Sequence, residues 1–359
     1  MTDALAALVR YLHERVFPEW RDLVITGVDR SGGGLSWETF VLDVAEYDGN
    51  DARRRRLVVK QAPLTGPLAP YDISREAVLL EAFAADGRVP VPPLLAYETE
   101  PGVLDRPFSV MGFVEGEIPG LRAIERWQHW QDPAARTEVG RELVATLARI
   151  QSVEWRKPAV SRVLDGDRAP AEHVRAHVDR LMDRIDHFVA PAWTAQPVLR
   201  DAWLWLHERL TPIASSDAVI VHGDFRVGNL IWHGRQVVAV LDWERADLGD
   251  PMVDLGFFCM PMARQRRPEL MGMLLPFDEL AAHYEVTSGR AVDLERLHYY
   301  LVYWQFVELA QVVRALAFSI TDAPPGELRH VTSYPLLAGG ARQLVSLIER
   351  YEVGEHEVV

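Results

Sequence analysis

The chain has 359 residues, 48% hydrophobic and 25% charged, with a net charge of −14 at pH 7 and one cysteine, Cys259. Those values exclude an internal disulfide, a cysteine-rich zinc site and a disordered composition. They also argue against unspecific nucleic-acid binding, which needs clustered cations to neutralise phosphates. One small core is too little for this length, so two lobes are expected. No run of about 20 apolar residues marks a membrane span, and the N-terminus lacks the basic n-region of a signal peptide. A cytoplasmic protein with no nucleic-acid and no membrane partner is therefore expected; oligomeric state is not legible.

In chain order, Leu5, Leu8, Val9, Leu12 and Val16 recur at helical spacing and predict an amphipathic first helix. A strand start at Leu23-Val24-Ile25, the run Ser31-Gly32-Gly33-Gly34-Leu35-Ser36 and a strand over Thr39 to Ala45 follow. Strand, glycine turn, strand reads as a flap whose amides approach phosphates, because glycine has no Cβ in the way. A plain flexible hairpin loop is an equal reading. Gly49-Asn50-Asp51 is turn chemistry, and Arg53 to Arg56 are expected as solvated chain between that turn and the next strand. The strand Leu57-Val58-Val59-Lys60 ends in a lysine, and a helix capped by Ser74 carries Glu76. A strand lysine paired to a helix glutamate aims an ammonium at a nucleotide's phosphates. Val89-Pro90-Val91-Pro92-Pro93 breaks the helix, and Phe108 to Gly116 is a strand entering a glycine-containing connector, read as a hinge.

Beyond Gly120 the pattern is helical, over Thr137 to Val153, Ala171 to Phe188, Val198 to Leu210 and Leu294 to Phe318. Trp127, Trp130, Trp193, Trp203 and Trp205 are assigned mainly to packing. Tyr299, Tyr300, Tyr303, Trp304 and Phe306 either complete a core or wall an acceptor pocket. Cys259 follows an apolar segment and reads as a buried small hydrophobe. The end, Val353 to Glu357, is expected to be frayed and solvated.

The densest chemistry runs from Val219 to Phe258. Asp224 and Asn229 lie five positions apart, a hairpin follows, and Asp242 comes just past the apolar run Val237 to Leu241. A hard cation such as Mg2+ takes oxygen ligands, here an amide and a carboxylate, while a second carboxylate orients a nucleophile. A phosphotransferase is the reading that uses all of these residues.

The wording His222-Gly223-Asp224-Phe225-Arg226-Val227-Gly228-Asn229, then Leu241-Asp242-Trp243-Glu244, then Asp250-Pro251-Met252-Val253-Asp254-Leu255 resembles the aminoglycoside phosphotransferase (APH)-like branch of the protein-kinase fold. Together with REAVLLEAF, VPVPPLLAY and RPFSVMGFVEG it is most similar to the acyl-CoA-dehydrogenase-associated phosphotransferase group. The resemblance implies an α+β, two-lobed fold. An antiparallel-sheet nucleotide-binding lobe over 1–113 would precede a mainly helical lobe over 114–359 holding the catalytic loop and acceptor site, with the reaction in the cleft between them.

It further implies ATP or GTP as donor and a small-molecule hydroxyl as acceptor. Asp224 matches the catalytic aspartate, Asn229 and Asp242 the magnesium ligands, Lys60 the phosphate-binding lysine and Glu76 its partner. Met111 to Val114, including Phe113, match the adenine hinge; Ser31, Gly32, Gly33, Gly34 and Ser36 form the flap without the protein-kinase glycine spacing. Asp254 resembles the aspartate bracing the catalytic loop, and His222 a loop-packing histidine. Trp243-Glu244 departs from the Phe-Gly of protein kinases, and Gly223 replaces the catalytic-loop arginine, which argues against activation-loop control. Arg226, two residues after Asp224, is expected to stabilise charge on the γ-phosphoryl. The acceptor suggested by the subgroup is a hydroxyacyl-CoA-type metabolite, with an aminoglycoside or another antibiotic as the alternative. A pseudokinase and a metal-dependent hydrolase are rivals, the latter weakened by the absence of HxH or HExxH pairing.

Overall fold

The computed structural model describes residues 2–31, 37–48, 51–63, 72–188, 196–213, 217–264, 267–321, 334–356 and 358. The elements run α1 (Thr2–Arg15), β1 (Leu23–Ser31), β2 (Glu38–Asp48), β3 (Asp51–Gln61), α2 (Ile73–Asp86), β4 (Leu94–Glu98) and β5 (Phe108–Gly112). Next come α3 (Gln128–Gln131), α4 (Pro133–Gln151), α5 (Pro158–Val163), α6 (Pro170–Phe188), α7 (Gln196–Ile213), β6 (Val219–Val221), β7 (Leu230–His233), β8 (Gln236–Val240) and β9 (Asp247–Gly249). Helices α8 (Met252–Cys259), α9 (Pro261–Arg264), α10 (Phe277–Ser288), α11 (Leu294–Thr321) and α12 (Tyr334–Glu352) complete the order. The chain forms two compact units: Met1–Glu117 with Leu230–His233 and Val237–Glu244, and Ile118–Asn229 with Gly234–Gln236 and Arg245–Val359.

The first unit is built on a five-stranded antiparallel sheet in the order β1-β2-β3-β5-β4. Alternation along each strand sends Leu42, Val44, Leu57, Val59, Phe108 and Val110 to one face, where Leu8, Tyr11 and Leu12 of α1 cover them. Lys60 follows Val59 and so points to the opposite face, toward α2. Arg53 to Arg56 do not precede β3 but lie inside it, because β2 sets acids opposite: Arg53 pairs in register with Glu46 and Arg56 with Asp43. Helix α2 is capped by Asp72, not Ser74. The Asp72 carboxylate accepts from the Ser74 amide at 2.9 Å and its hydroxyl at 2.5 Å, the bond to the second helical N–H that an N-cap makes. The β7–β8 hairpin turns at Gly234 (φ +61°), and Val240 N–H donates to Pro90 O at 2.8 Å. Gly49 and Asn50 lie outside the described residues.

In the second unit a short β6–β9 antiparallel pair sits among helices, with Val221 opposite Asp247. The α11 aromatics Tyr299, Tyr300, Tyr303, Trp304 and Phe306 are all buried, so the core assignment accounts for them. Trp127, Trp130 and Trp205 are buried too; Trp193 lies outside the described residues. Burial pushes the Cys259 thiol up to about 12, which makes it a small hydrophobe. Val353, Gly354 and Glu355 are exposed, as expected, but the chain docks beyond them. Val358 is buried with its carbonyl accepting from Arg264 Nη1 at 2.8 Å, and His356 Nδ1 lies 3.3 Å from His298 Nδ1. Glu357 is outside the described residues. Among those described, no helix is long and apolar enough to cross a membrane.

Candidate active site

In the first unit, Lys60 meets carboxylates from two other segments, Glu76 of α2 and Asp242 just after β8. Its Nζ donates to Glu76 Oε1 and Oε2, both at 2.9 Å, and to Asp242 Oδ1 at 3.0 Å. The Lys60 and Glu76 side chains are 6% and 5% exposed while that of Asp242 is 45% exposed, so the group opens to solvent on the Asp242 side. Burial alone would depress the ammonium, but Glu76, Asp242 and Glu244 outweigh it and hold Lys60 above its ordinary value, fully charged. Asp242 has φ +62°, a left-handed backbone that aspartate tolerates better than most residues. Its neighbours fix that turn. The Trp243 ring lies 4.3 Å from Phe83 of α2, and Glu244 Oε2 accepts from Trp37 Nε1 at 2.5 Å.

The expected hinge residues continue from β5. Met111 is buried opposite Val58, and the Phe113 amide donates to Arg56 O at 3.2 Å with its ring 3.7 Å below the Arg56 guanidinium. Val114 follows, half-buried. Ser31 ends β1 opposite Thr39; Gly32, Gly33, Gly34 and Ser36 lie outside the described residues.

In the second unit, β6 delivers the chain into a loop held from below by α8. Asp254 in the first turn of α8 is fully buried and accepts from the His222 amide at 2.8 Å and the Gly223 amide at 2.9 Å. Burial pushes its carboxyl up, against the two amides that favour its charged form. Gly223 has φ +78°, and a Cβ there would lie 2.5 Å from Arg245 O, so the loop admits only glycine. The Asp224 amide donates to His222 Nδ1 at 3.2 Å, so that ring nitrogen is an acceptor committed to the loop. His222 is therefore a packing residue here.

Asp224 is held by two side chains downstream. A 3-10 turn over Val227–Asn229, closed by Asn229 N–H to Arg226 O at 2.9 Å, swings Asn229 back. Asn229 Nδ2 donates to Asp224 O and to Asp224 Oδ2, each at 2.8 Å. Both amide hydrogens are engaged, which leaves Asn229 Oδ1 as its acceptor atom. Arg226 Nε donates to the other carboxylate oxygen, Asp224 Oδ1, at 3.0 Å.

Sequence reasoning missed two residues beside this loop. Arg245 Nη1 lies 3.6 Å from Glu308 Oε1 of α11. Burial pushes the Glu308 carboxyl up, Arg245 opposes that, and the charge of Asp224 adds to it, which puts Glu308 within electrostatic reach of Asp224. No local motif points to Glu308, since only tertiary packing brings α11 to the loop. Among the described residues no three His, Cys, Asp or Glu side chains cluster as a metal cage.

A model of the phosphotransferase enzyme family APH matches residues 43–290. Acyl-CoA dehydrogenase family member 11 of Homo sapiens is 28% identical over 276 residues, covering 71% of this chain and 33% of that protein. The chain spans only 18% to 33% of the length of the first curated relatives it matches. Among solved structures, a Ralstonia eutropha protein assigned to the aminoglycoside phosphotransferases has a TM-score of 0.71 at 21% identity, covering 96% of this chain and 98% of that one. A thermostable mutant of aminoglycoside phosphotransferase APH(4)-Ia, in ternary complex with AMP-PNP and hygromycin B, has a TM-score of 0.60 at 15% identity over 97% and 99% of the two chains. These two likenesses carry the fold: a kinase-like antiparallel sheet followed by a mainly helical region.

Proposed function

The chain belongs to the APH phosphotransferase enzyme family, and we propose that it moves the γ-phosphoryl of ATP or GTP to the hydroxyl of a small molecule, a hydroxyacyl-CoA-type metabolite. The observation that carries this reading is Asp224 held at both carboxylate oxygens, by Asn229 and by Arg226. A fixed carboxylate of this kind orients an acceptor hydroxyl and takes its proton as the new P–O bond forms. Lys60, kept charged by Glu76 and Asp242, would hold the donor's phosphates. Residues 1–113 are assigned to nucleotide binding, with Met111 to Val114 beside the base and the 31–36 flap over the phosphates. Residues 114–359 are assigned to the catalytic loop and the acceptor.

Magnesium is assigned to Asn229 and Asp242 on the chemistry of each residue taken by itself. Asn229 Oδ1 and the Asp242 carboxylate are hard oxygens, and the sparse protein ligation suits an ion that keeps waters and phosphate oxygens. Magnesium, when bound, would neutralise charge on the donor's phosphates. The acyl-CoA acceptor rests on the naming of the curated relatives as acyl-CoA dehydrogenase family members. Positioning and charge neutralisation supply most of the acceleration in such a transfer.

The test is an ATP-consumption screen over CoA thioesters, aminoglycosides, macrolides and amino-alcohols, with Asp224→Asn as the blank. Transfer to a hydroxyacyl-CoA, abolished in Asp224→Asn with nucleotide binding intact, is the expected result. Asp242→Ala should instead weaken magnesium-nucleotide binding itself. Turnover that survives in Asp224→Asn would overturn the assignment.

A further inference from the structure

Trp304 of α11 is fully buried, and two of its contacts reach beyond the aromatic core around it. Its indole N–H donates to the Val253 carbonyl of α8 at 2.6 Å. Over its ring, the Arg245 guanidinium lies 5.1 Å from the centroid, within cation–π range. Phe257 and Tyr303 meet the same ring edge-on, each 5.0 Å away with planes crossed by 72° and 71°, and hold its orientation. Glu308 stands four residues further along α11 and therefore on the same face of the helix. Arg245 Nη1 reaches it at 3.6 Å, so one guanidinium is held at two points of that face.

Both contacts of Trp304 lead to the dipeptide His222-Gly223, by separate routes. Val253 immediately precedes Asp254, whose carboxylate accepts from the His222 and Gly223 amides at 2.8 and 2.9 Å. Arg245 packs its carbonyl 2.5 Å, and its own Cβ 3.0 Å, from where a Gly223 Cβ would stand. Asp224 follows Gly223 directly in the chain. A buried indole N–H must find an acceptor somewhere; here the acceptor is the residue next to the loop's brace, and the cation on the ring belongs to the residue packed against the loop. Close-packed contacts of this kind leave little slack, so a shift at Trp304 is passed to the loop.

We infer that Trp304 is a positioning residue for phosphoryl transfer: it clamps His222-Gly223 through Val253 and Asp254 on one route and through Arg245 on the other, so that Asp224 keeps the orientation in which it faces the acceptor hydroxyl. This rests on the phosphotransfer reading above and adds to it a residue of α11 that touches neither substrate. The effect on rate is large for a small displacement, since misplacing a reacting group by about 1 Å costs on the order of 100-fold.

The experiment measures amide hydrogen exchange of His222 and Gly223 by NMR, and steady-state transfer from magnesium-ATP to 3-hydroxybutyryl-CoA and to kanamycin, in the wild type, Trp304→Phe and Arg245→Met. Trp304→Phe keeps a ring beside Arg245 and removes the donor to Val253; Arg245→Met keeps an unbranched side chain and removes the cation. In each variant, exchange at His222 and Gly223 should rise roughly fivefold to tenfold, the worth of about one hydrogen bond, while exchange in α10 stays as in the wild type. The kcat should fall about tenfold to 100-fold with the KM for nucleotide little changed. Loop exchange unchanged in either variant would overturn the two-route clamp, as would faster exchange spread equally over α10, which marks a plain loss of stability. Faster loop exchange with kcat intact would overturn the role in transfer. Faster loop exchange in the variants of a chain whose wild type transfers no phosphoryl group would instead overturn the phosphotransfer reading and leave the clamp standing.

Discussion

Asn229 donates both hydrogens of its side-chain amide to Asp224, one to the backbone carbonyl and one to Oδ2, each at 2.8 Å. In the proposed reaction, the side chain assigned to the metal thus also fixes the carboxylate assigned to the acceptor. Asn229→Ala removes both functions, and kcat should fall about 100-fold or more. Because the part-buried Asp224 carbonyl also loses this donor, thermal unfolding should show a loss of roughly 1–3 kcal/mol. Unchanged kcat in steady-state kinetics would separate Asn229 from the chemistry.

Lys60 lies between two Glu76 oxygens at 2.9 Å and Asp242 at 3.0 Å with almost no exposure of its own. Lys60→Met leaves the buried Glu76 carboxylate without its cation, and removing one member of such a pair costs about 3–5 kcal/mol. Chemical denaturation should show that loss, together with weaker nucleotide binding. Lys60→Met/Glu76→Gln should recover much of the stability without recovering nucleotide affinity, since only the unpaired charge is relieved.

The spacing of Asp224, Asn229 and Asp254 made the braced loop readable, because each residue's chemistry is stated locally. The strand that carries Lys60 was equally readable from the apolar run Leu57 to Val59. Arg53 to Arg56 are exposed, as expected, but they lie inside β3, since a charge run does not show itself as strand until the acids of β2 opposite it are known. At the start of α2, Asp72 and Ser74 are both competent caps, and only geometry chooses between them. Glu308 and Arg245 had no local signature at all. They meet through packing of segments far apart in sequence.

Gly223→Ala should be damaging although it adds one methyl group. The position has φ +78° and the new Cβ would lie 2.5 Å from Arg245 O, a backbone atom that cannot rotate away. Strain at such a position costs on the order of 1–3 kcal/mol before the clash is relieved. Relief would displace His222 and Gly223 from Asp254, so kcat should fall with stability. A variant with wild-type melting temperature and kcat would show that the loop is softer than this contact implies.

His298 makes acid stability sensitive to the docked chain end. Its Nε2 meets Leu347 O at 2.9 Å and its Nδ1 meets His356. Burial pushes the imidazole down to about 4, the Leu347 carbonyl opposing and Arg350 and His356 adding to the fall. The unfolded chain then binds the proton more readily than the folded one. The stability is fully present above the unfolded value of about 6.5 and is lost as pH falls from there toward 4, by about 3 kcal/mol. Denaturation across that range should be flatter in His298→Gln than in the wild type. Parallel curves would remove His298 from the acid response.

Arg226 is the residue whose role the geometry changes most. As an expectation it served the γ-phosphoryl alone; in the structure its Nε holds Asp224 Oδ1 at 3.0 Å, with a third of the side chain exposed. A guanidinium has five N–H donors, so one can remain on Asp224 while others reach a phosphoryl oxygen, a geometry lysine does not reproduce. Arg226→Lys should therefore lower kcat by about 10-fold to 100-fold with little change in the KM for nucleotide, because an interaction gained in the transition state is lost without ground-state binding. Arg226→Ala should fall at least as far. If Arg226→Lys kept full kcat while Arg226→Ala lost it, a point charge would suffice and the bridging role would be wrong. If both kept it, Arg226 would merely neutralise Asp224 in the resting enzyme.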